Sequence, residues 1–134
     1  MTTRFQAWLR KAESDLAVGK LTEAEEFHSQ ACYHYSQAAE KALKGILISL
    51  GVLPPHSHSL DRLVQEIERQ GINTDSLGDV HLKAVSRMNS ETRYPRDDEA
   101  PMDRFDARDS AQARTIAEHV LMFVKSILNP EDNL

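Results

Sequence analysis

The chain has 134 residues, and its 16 lysines and arginines against 21 aspartates and glutamates give a formal net charge of −5. One domain fits this length, and the negative balance excludes the basic footprint over a whole domain that duplex nucleic-acid binders show. The single cysteine excludes an internal disulfide, no apolar run approaches the ~18–20 residues of a membrane span, and no secretory segment opens the chain, so a cytoplasmic protein is expected.

Two long helices are predicted in the first part of the chain. Over residues 3–19 apolar side chains recur at helical spacing, and Gly19 predicts a helix stop. The longest helical pattern covers residues 22–50, where Thr22 followed by Glu25 indicates a capping box. Small side chains along this second helix would let a neighbouring helix approach closely: Ala38, Ala39 and Ala42.

The rest of the chain predicts shorter helices and one more long one. A third helix is expected from a cap at Ser59 to Gly71, and a shorter one over residues 79–90. Residues 91–105 show no sustained period, and a helical pattern returns over 106–128. Four main helices and a short one, joined mostly by brief loops, predict an all-α fold: an antiparallel up-and-down bundle of four or five helices. Long irregular segments in small domains are more often functional or disordered than decorative, which singles out residues 91–105.

The stretch SQAAEKALKGIL in the second helix contains the polar side chains Gln37, Glu40, Lys41 and Lys44. Glu40 and Lys44 form an i,i+4 pair in the favourable orientation, worth about 0.2–0.5 kcal/mol on a solvated face. In the alternative interpretation these polar side chains face a cleft rather than open water. The local pattern leaves both interpretations open.

Histidine and cysteine patterns give weak signals for metal binding or catalysis. His56 and His58 lie at i,i+2 without further ligands at zinc-site spacing, so a local role beside the third helix is expected, and no metal or cofactor is predicted. Arg114 and His119 have the spacing of a catalytic pair, yet five residues on one helix place them about 140° apart. Cys32 lies inside the second helix, where a buried, inert thiol is expected.

The irregular segment opens with RYPR, in which Pro95 ends the preceding helix at Tyr94. Arg93 lies at that helix end, where its guanidinium can bind the last carbonyl groups as a cap. The same guanidinium matches phosphate in a bidentate geometry, and Arg87 and Arg96 lie nearby in the sequence. Three acidic residues follow and weaken the positive field, so charge alone slightly favours the capping role.

Taken in order, WLRKAESDLAVGKL, ACYHYSQAAEKALKGILISLGV, HSHSLDRLV and TRYPRD resemble the HEPN domain family over nearly all of residues 5–125. The resemblance implies a single helical domain over residues 1–134 that forms a homodimer and pairs with a minimal nucleotidyltransferase, in several systems as a toxin and an antitoxin. Many members resemble metal-independent ribonucleases with an Arg-x(4–6)-His motif near the dimer cleft, and others resemble nucleotide-binding modules.

The sequence departs from the ribonuclease pattern at the histidine. Arg87 matches the motif arginine, but Arg93 stands where histidine is expected, and no histidine lies between residues 82 and 118. The pair Arg114 and His119 has the right spacing only in the final helix. Arginine, with a pKa above about 12, cannot act as a general base near neutral pH but still holds phosphate, so binding is favoured over catalysis.

The residues and the resemblance support three hypotheses about function. The favoured one is a non-catalytic module for nucleotide or polynucleotide phosphate, in which a base stacks on a tyrosine. Its predicted ligand-binding residues are Arg87, Arg93, Tyr94, Arg96, Lys41 and Lys44. The second hypothesis is a ribonuclease toxin that uses Arg87 or Arg114 with His119. The third is a structural partner whose arginines only cap helices.

Overall fold

A computed structural model of the chain describes residues 3–129, which fold into helices with no strand among them. Three helices are long: α1 (Arg4–Ala24), α2 (His28–Ser49) and α7 (Ala107–Leu128). Four are shorter: α3 (Leu60–Arg69), α4 (Leu82–Ser86), α5 (Met88–Glu91) and α6 (Pro101–Arg104). The predicted all-α fold is confirmed.

Helix α2 is the centre of the bundle, and α1, α3 and α7 each pack against it. Most of its side chains are buried, and many are small, which lets the neighbouring helices come close. Its buried apolar residues are Ala31, Cys32, Tyr35, Ala38, Ala39, Ala42, Leu43, Ile46 and Leu47. Because three helices cover α2, only a narrow polar face of it is left to form a site.

The contacts between the long helices define their directions. Gly19, late in α1, lies against Tyr35, early in α2, whereas Trp8 lies against Gly45, late in α2. The two helices are therefore antiparallel. Ion pairs between α1 and α7 also run in opposite directions along the two helices: Glu13 with Lys125, and Glu23 with Arg114. Both α2 and α7 therefore oppose α1, as the second and fourth helices of an up-and-down bundle do.

The predicted boundary between the first two helices is wrong. α1 continues through Gly19 to Ala24, and Thr22 caps nothing, because its hydroxyl donates hydrogen bonds to the carbonyls of Val18 and Gly19 within α1. The chain reverses instead at Glu26, whose φ is 65°. Gly19 serves close packing rather than helix termination, since a Cβ there would lie 2.6 Å from Cε1 of Tyr35.

In the middle of the chain the helices are also shorter and more often interrupted than the sequence pattern predicted. The single helix expected over residues 79–90 is two short helices that meet at Arg87. The segment 91–105 is not uniformly irregular, because Arg96 pairs with Glu99 in an isolated bridge and α6 begins at Pro101. Proline suits the first turn of a helix because its missing N–H needs no partner there.

No helix within residues 3–129 is long and apolar enough to cross a membrane.

Candidate functional site

Arg93 lies just beyond the end of α5, and its side chain folds back onto that helix. Its Nε donates a 2.8 Å hydrogen bond to the carbonyl of Asn89, and its Nη2 donates a 3.0 Å bond to Asn89 Oδ1. Asn89 is buried, so these bonds fix the guanidinium to a rigid part of the bundle. The predicted capping contact of Arg93 is confirmed.

The guanidinium of Arg93 also lies between two aromatic rings. Its Cζ is 5.5 Å from the ring centre of Tyr33 on α2 and 5.4 Å from that of Tyr94. These distances are within the range of cation–π attraction. Tyr94 is 62% exposed and Arg93 is exposed as well, so the stack borders solvent. Arginine has five N–H donors, and Arg93 uses two of them on Asn89. The other three have no acceptor among residues 3–129.

One face of α2 continues from this stack toward the C-terminal half of the helix. Tyr33, Gln37, Lys41 and Lys44 follow one another at spacings of three or four residues, which places them on that face. Lys41 Nζ donates a 2.5 Å hydrogen bond to Gln37 Oε1. With a rise of about 1.5 Å per residue, Lys41 is about 12 Å along the helix axis from Tyr33. The predicted residues Arg93, Tyr94, Lys41 and Lys44 therefore border one polar face, hereafter the α2 stripe.

A buried carboxylate lies beneath this stripe. Asp15 of α1 has a side chain that is 4% exposed, with Lys11 Nζ at 3.3 Å and His34 Nδ1 at 3.4 Å from its Oδ1. Its Oδ2 has no hydrogen bond among the described residues, and Lys41 Nζ lies 3.8 Å from it. Sequence reasoning missed Asp15, although it occupies the face of α1 on which Ala12 and Gly19 are buried. The sequence signal that could have identified it is an acidic residue at a position of α1 where the helical pattern expects an apolar one.

A second buried carboxylate, Glu40, organises the other edge of the stripe. Its Oε2 lies 3.2 Å from Lys44 Nζ, and its Oε1 lies 2.7 Å from Nδ1 of His58. The i,i+4 pair of Glu40 and Lys44 is therefore present, and it lies partly inside the protein, where Glu40 is 6% exposed. His58 was expected to act beside α3, but its hydrogen bond is with Glu40 of α2.

The other two arginines predicted to bind the ligand, Arg87 and Arg96, make no contact with Arg93. Arg87 is exposed, and its side chain makes no hydrogen bond or ion pair with residues 3–129. Arg96 is exposed too, and its backbone pairs with Glu99 at 2.9 Å in both directions. Among residues 3–129, the groups that contact the Arg93 guanidinium are Asn89, Tyr33 and Tyr94, and neither of these two arginines is one of them.

Arg114 and His119 contact different elements of the bundle. Arg114 Nη1 lies 3.4 Å from Glu23 Oε1 of α1, and its Nε lies 3.7 Å from Glu118. The Nε2 of His119 is 3.1 Å from the carbonyl of Ser76, a group that accepts a hydrogen bond from the ring. The two side chains are thus held apart, as their angular separation on one helix predicted.

Cys32 is fully buried, as expected. Burial is the main cause that raises the pKa of its thiol to about 12, and nearby carboxylates add to the effect. A thiol that stays protonated is a poor nucleophile, so Cys32 is part of the core rather than of a reactive site.

Comparisons with known proteins give one consistent result. The family model described as HEPN domain matches residues 5–129. The crystal structure of TT1696 from Thermus thermophilus is 27% identical, with a TM-score of 0.81, and the match covers 96% of this chain and 100% of that one. ST0689, an archaeal HEPN homologue, is 22% identical (TM-score 0.70; 93% and 98% covered). An HEPN domain protein from Thermotoga maritima is 20% identical (TM-score 0.68; 91% and 97% covered). No curated protein matches.

Proposed function

The chain belongs to the HEPN domain family, and from this premise we propose that it is a non-catalytic module that binds nucleotide or polynucleotide phosphate. The observation that carries the proposal is the geometry of Arg93. Two hydrogen bonds to the buried Asn89 hold this guanidinium at the surface, and three of its N–H donors have no acceptor among residues 3–129. A preorganised arginine loses little conformational freedom when it binds a phosphate oxygen pair.

The neighbouring side chains supply the other contacts that a nucleotide needs. Tyr94 is 62% exposed and can stack on a base. Lys41 and Lys44 each use one donor within α2, on Gln37 and Glu40, and retain donors for a phosphate. Arg87 and Arg96 are exposed but lie outside this cluster, and the proposal assigns them contacts with further phosphates of a longer ligand.

Binding without cleavage follows from the chemistry of the same residues. Hydrolysis of RNA without a metal needs a general base near the 2′-hydroxyl, and a guanidinium cannot accept a proton near neutral pH. The histidine that satisfies the motif spacing, His119, donates to the Ser76 carbonyl while Arg114 pairs with Glu23. The ribonuclease alternative therefore makes its own prediction: purified protein cuts RNA in the presence of a chelator, and His119→Ala abolishes the cut.

The proposal includes a homodimer in the cytoplasm that pairs with a minimal nucleotidyltransferase, as a toxin and antitoxin do. Its basis is the family, together with a negative surface and several exposed large apolar side chains, among them Phe27, Leu53 and Met122. Sedimentation equilibrium tests the dimer, for which a mass twice the 15.1 kDa of the chain is expected. A single species at the chain mass across the concentration range contradicts it.

Calorimetry with ATP, GTP and a short single-stranded oligonucleotide tests the binding function. Saturable binding is expected for the natural sequence, with affinity reduced by roughly tenfold or more in Arg93→Ala, because a charge-assisted bidentate contact is lost. Arg69→Ala is the matched control, since Arg69 is also an exposed arginine bonded to its own helix. If no ligand binds at millimolar concentration and Arg93→Ala only lowers stability, the structural-partner hypothesis replaces this one.

A further inference from the structure

We propose that a groove between α1 and α2, lined by Ala7, Trp8, Lys11 and Lys41, is a second binding site, for an aromatic ring that carries a phosphate. A free nucleotide and one unit of a single-stranded polynucleotide share this chemistry. The groove shares Lys41 with the α2 stripe, and the class of ligand rests on the proposed function. Trp8 and Lys11 have no role in that function, so the site is an addition to it.

The indole of Trp8 forms the apolar wall of the groove. Trp8 lies directly on α2, because a Cβ added to Gly45 would be only 3.6 Å from the Cβ of Trp8. Lys41 is one helical turn before Gly45 and therefore lies on the same side of α2. The side chain of Trp8 is only partly buried, which leaves part of its ring open to the groove. A partly exposed aromatic ring beside ammonium groups is an arrangement on which nucleic-acid bases stack.

Asp15 explains why two lysines stay together beside this ring. Ammonium groups repel each other, but Lys11 Nζ lies 3.3 Å from Asp15 Oδ1 and Lys41 Nζ lies 3.8 Å from Asp15 Oδ2. The buried carboxylate thus holds both cations at one place. With Asp15 ionised, the three groups still carry one net positive charge, which favours an anion.

The donors of both lysines are largely unused. Lys11 donates to Asp15, and Lys41 donates to Gln37. Each ammonium has three N–H donors, so two on each lack an acceptor among residues 3–129. One phosphate bridging the two ammonium groups satisfies these donors. Because Asp15 holds both lysines and takes only one donor, from Lys11, it is a positioning residue of the site.

The size of the groove limits what it holds. Its volume is about 220 Å³, below the roughly 300–1,000 Å³ of pockets that enclose drug-sized ligands. One ring and an adjoining phosphate match this volume. The rest of a longer ligand extends along the α2 stripe toward Arg93.

Trp8 is the only tryptophan of the chain, so its fluorescence reports on this groove alone. We expect saturable quenching when the natural sequence is titrated with AMP, ATP or a ten-nucleotide single strand. In Lys11→Ala and Lys41→Ala the affinity seen by quenching falls by roughly tenfold. Lys20→Ala is the control, because Lys20 is a similarly exposed lysine of α1 with one carboxylate partner, Glu118. Free N-acetyltryptophanamide in the same solutions corrects for light absorbed by the ligand.

The outcomes separate this proposal from the proposed function. Binding by calorimetry that is sensitive to Arg93→Ala, but with unchanged Trp8 fluorescence, overturns the groove and leaves the Arg93 surface in place. Quenching that persists in both lysine variants also overturns it. If neither calorimetry nor fluorescence detects binding, both proposals are overturned. Quenching by AMP identifies a free nucleotide as a sufficient ligand, and quenching by the oligonucleotide alone identifies a strand.

Discussion

At the scale of single residues, Arg93 makes two kinds of contact with the bundle. Its capping bonds to Asn89 and its stacking between Tyr33 and Tyr94 both stabilise the end of α5. We expect Arg93→Ala to lower the free energy of unfolding by about 1–2 kcal/mol, which urea denaturation measures. Arg69→Ala, which removes only an exposed ion pair, should cost less than about 1 kcal/mol. Equal unfolding midpoints for Arg93→Ala and the natural sequence would contradict a stabilising cap.

The buried thiol and phenol make stability depend on alkaline pH. Burial raises the pKa of Cys32 from 9.0 to about 12. Burial and its hydrogen bond to Glu23 also raise the pKa of Tyr35. Because each folded pKa lies above its unfolded value, the protonated forms contribute stability that is fully present below pH 9 and is lost as the pH rises toward 12. Denaturation series from about pH 7 to about pH 11 should show this loss, with a shallower slope in Cys32→Ala; parallel slopes would contradict the assignment to Cys32.

At the scale of helices, the sequence predicted which segments are helical better than where they end. Gly19 was interpreted as a stop because glycine is common there, but its reason is the ring of Tyr35 on the next helix. The residues around Gly19 in the sequence do not indicate which residue of another helix will pack against it. The same limit explains the middle of the chain, where α4, α5 and α6 have only one or two turns each. Such short helices depend on packing against α2 rather than on their own periodicity.

Two helical glycines make matched tests of helix packing. Alanine at Gly19 would place its Cβ 2.6 Å from the Tyr35 ring, which is fully buried and bonded to Glu23. We expect a loss of about 1–3 kcal/mol in the free energy of unfolding, despite the higher helix propensity of alanine. At Gly45 the nearest atom to the new Cβ is 3.6 Å away, so alanine should stabilise by about 0.4–1 kcal/mol. Stabilisation by Gly19→Ala in urea denaturation would show that the helices can separate there at little cost.

At the scale of the whole molecule, the candidate site was only partly predictable. Arg93, Tyr94, Lys41 and Lys44 came from residue chemistry and family resemblance, and the structure places them along one face. The other parts of that surface come from elements distant in sequence: the Tyr33 ring beneath Arg93 and the Asp15 carboxylate beneath Lys41. Nothing in the local sequence pairs these residues, because the folding of α1, α2 and α5 against one another creates the contacts.

The charge of the whole molecule opposes the charge of its proposed site, and this conflict has a measurable consequence. A net charge of −5 repels a polyanion at long range. In 0.1 M salt this repulsion is largely screened at distances beyond about 10 Å. The proposed contacts of the lysines and Arg93 with phosphate should instead weaken with salt, with a slope of about −0.7 per phosphate for a single strand. We therefore expect a modest fall of oligonucleotide affinity with salt for the natural sequence. Lys41→Ala should make the slope shallower by about 0.7, while Lys20→Ala leaves it unchanged. Identical slopes for the natural sequence and Lys41→Ala would mean that Lys41 touches no phosphate, and the stripe would then lose its central contact.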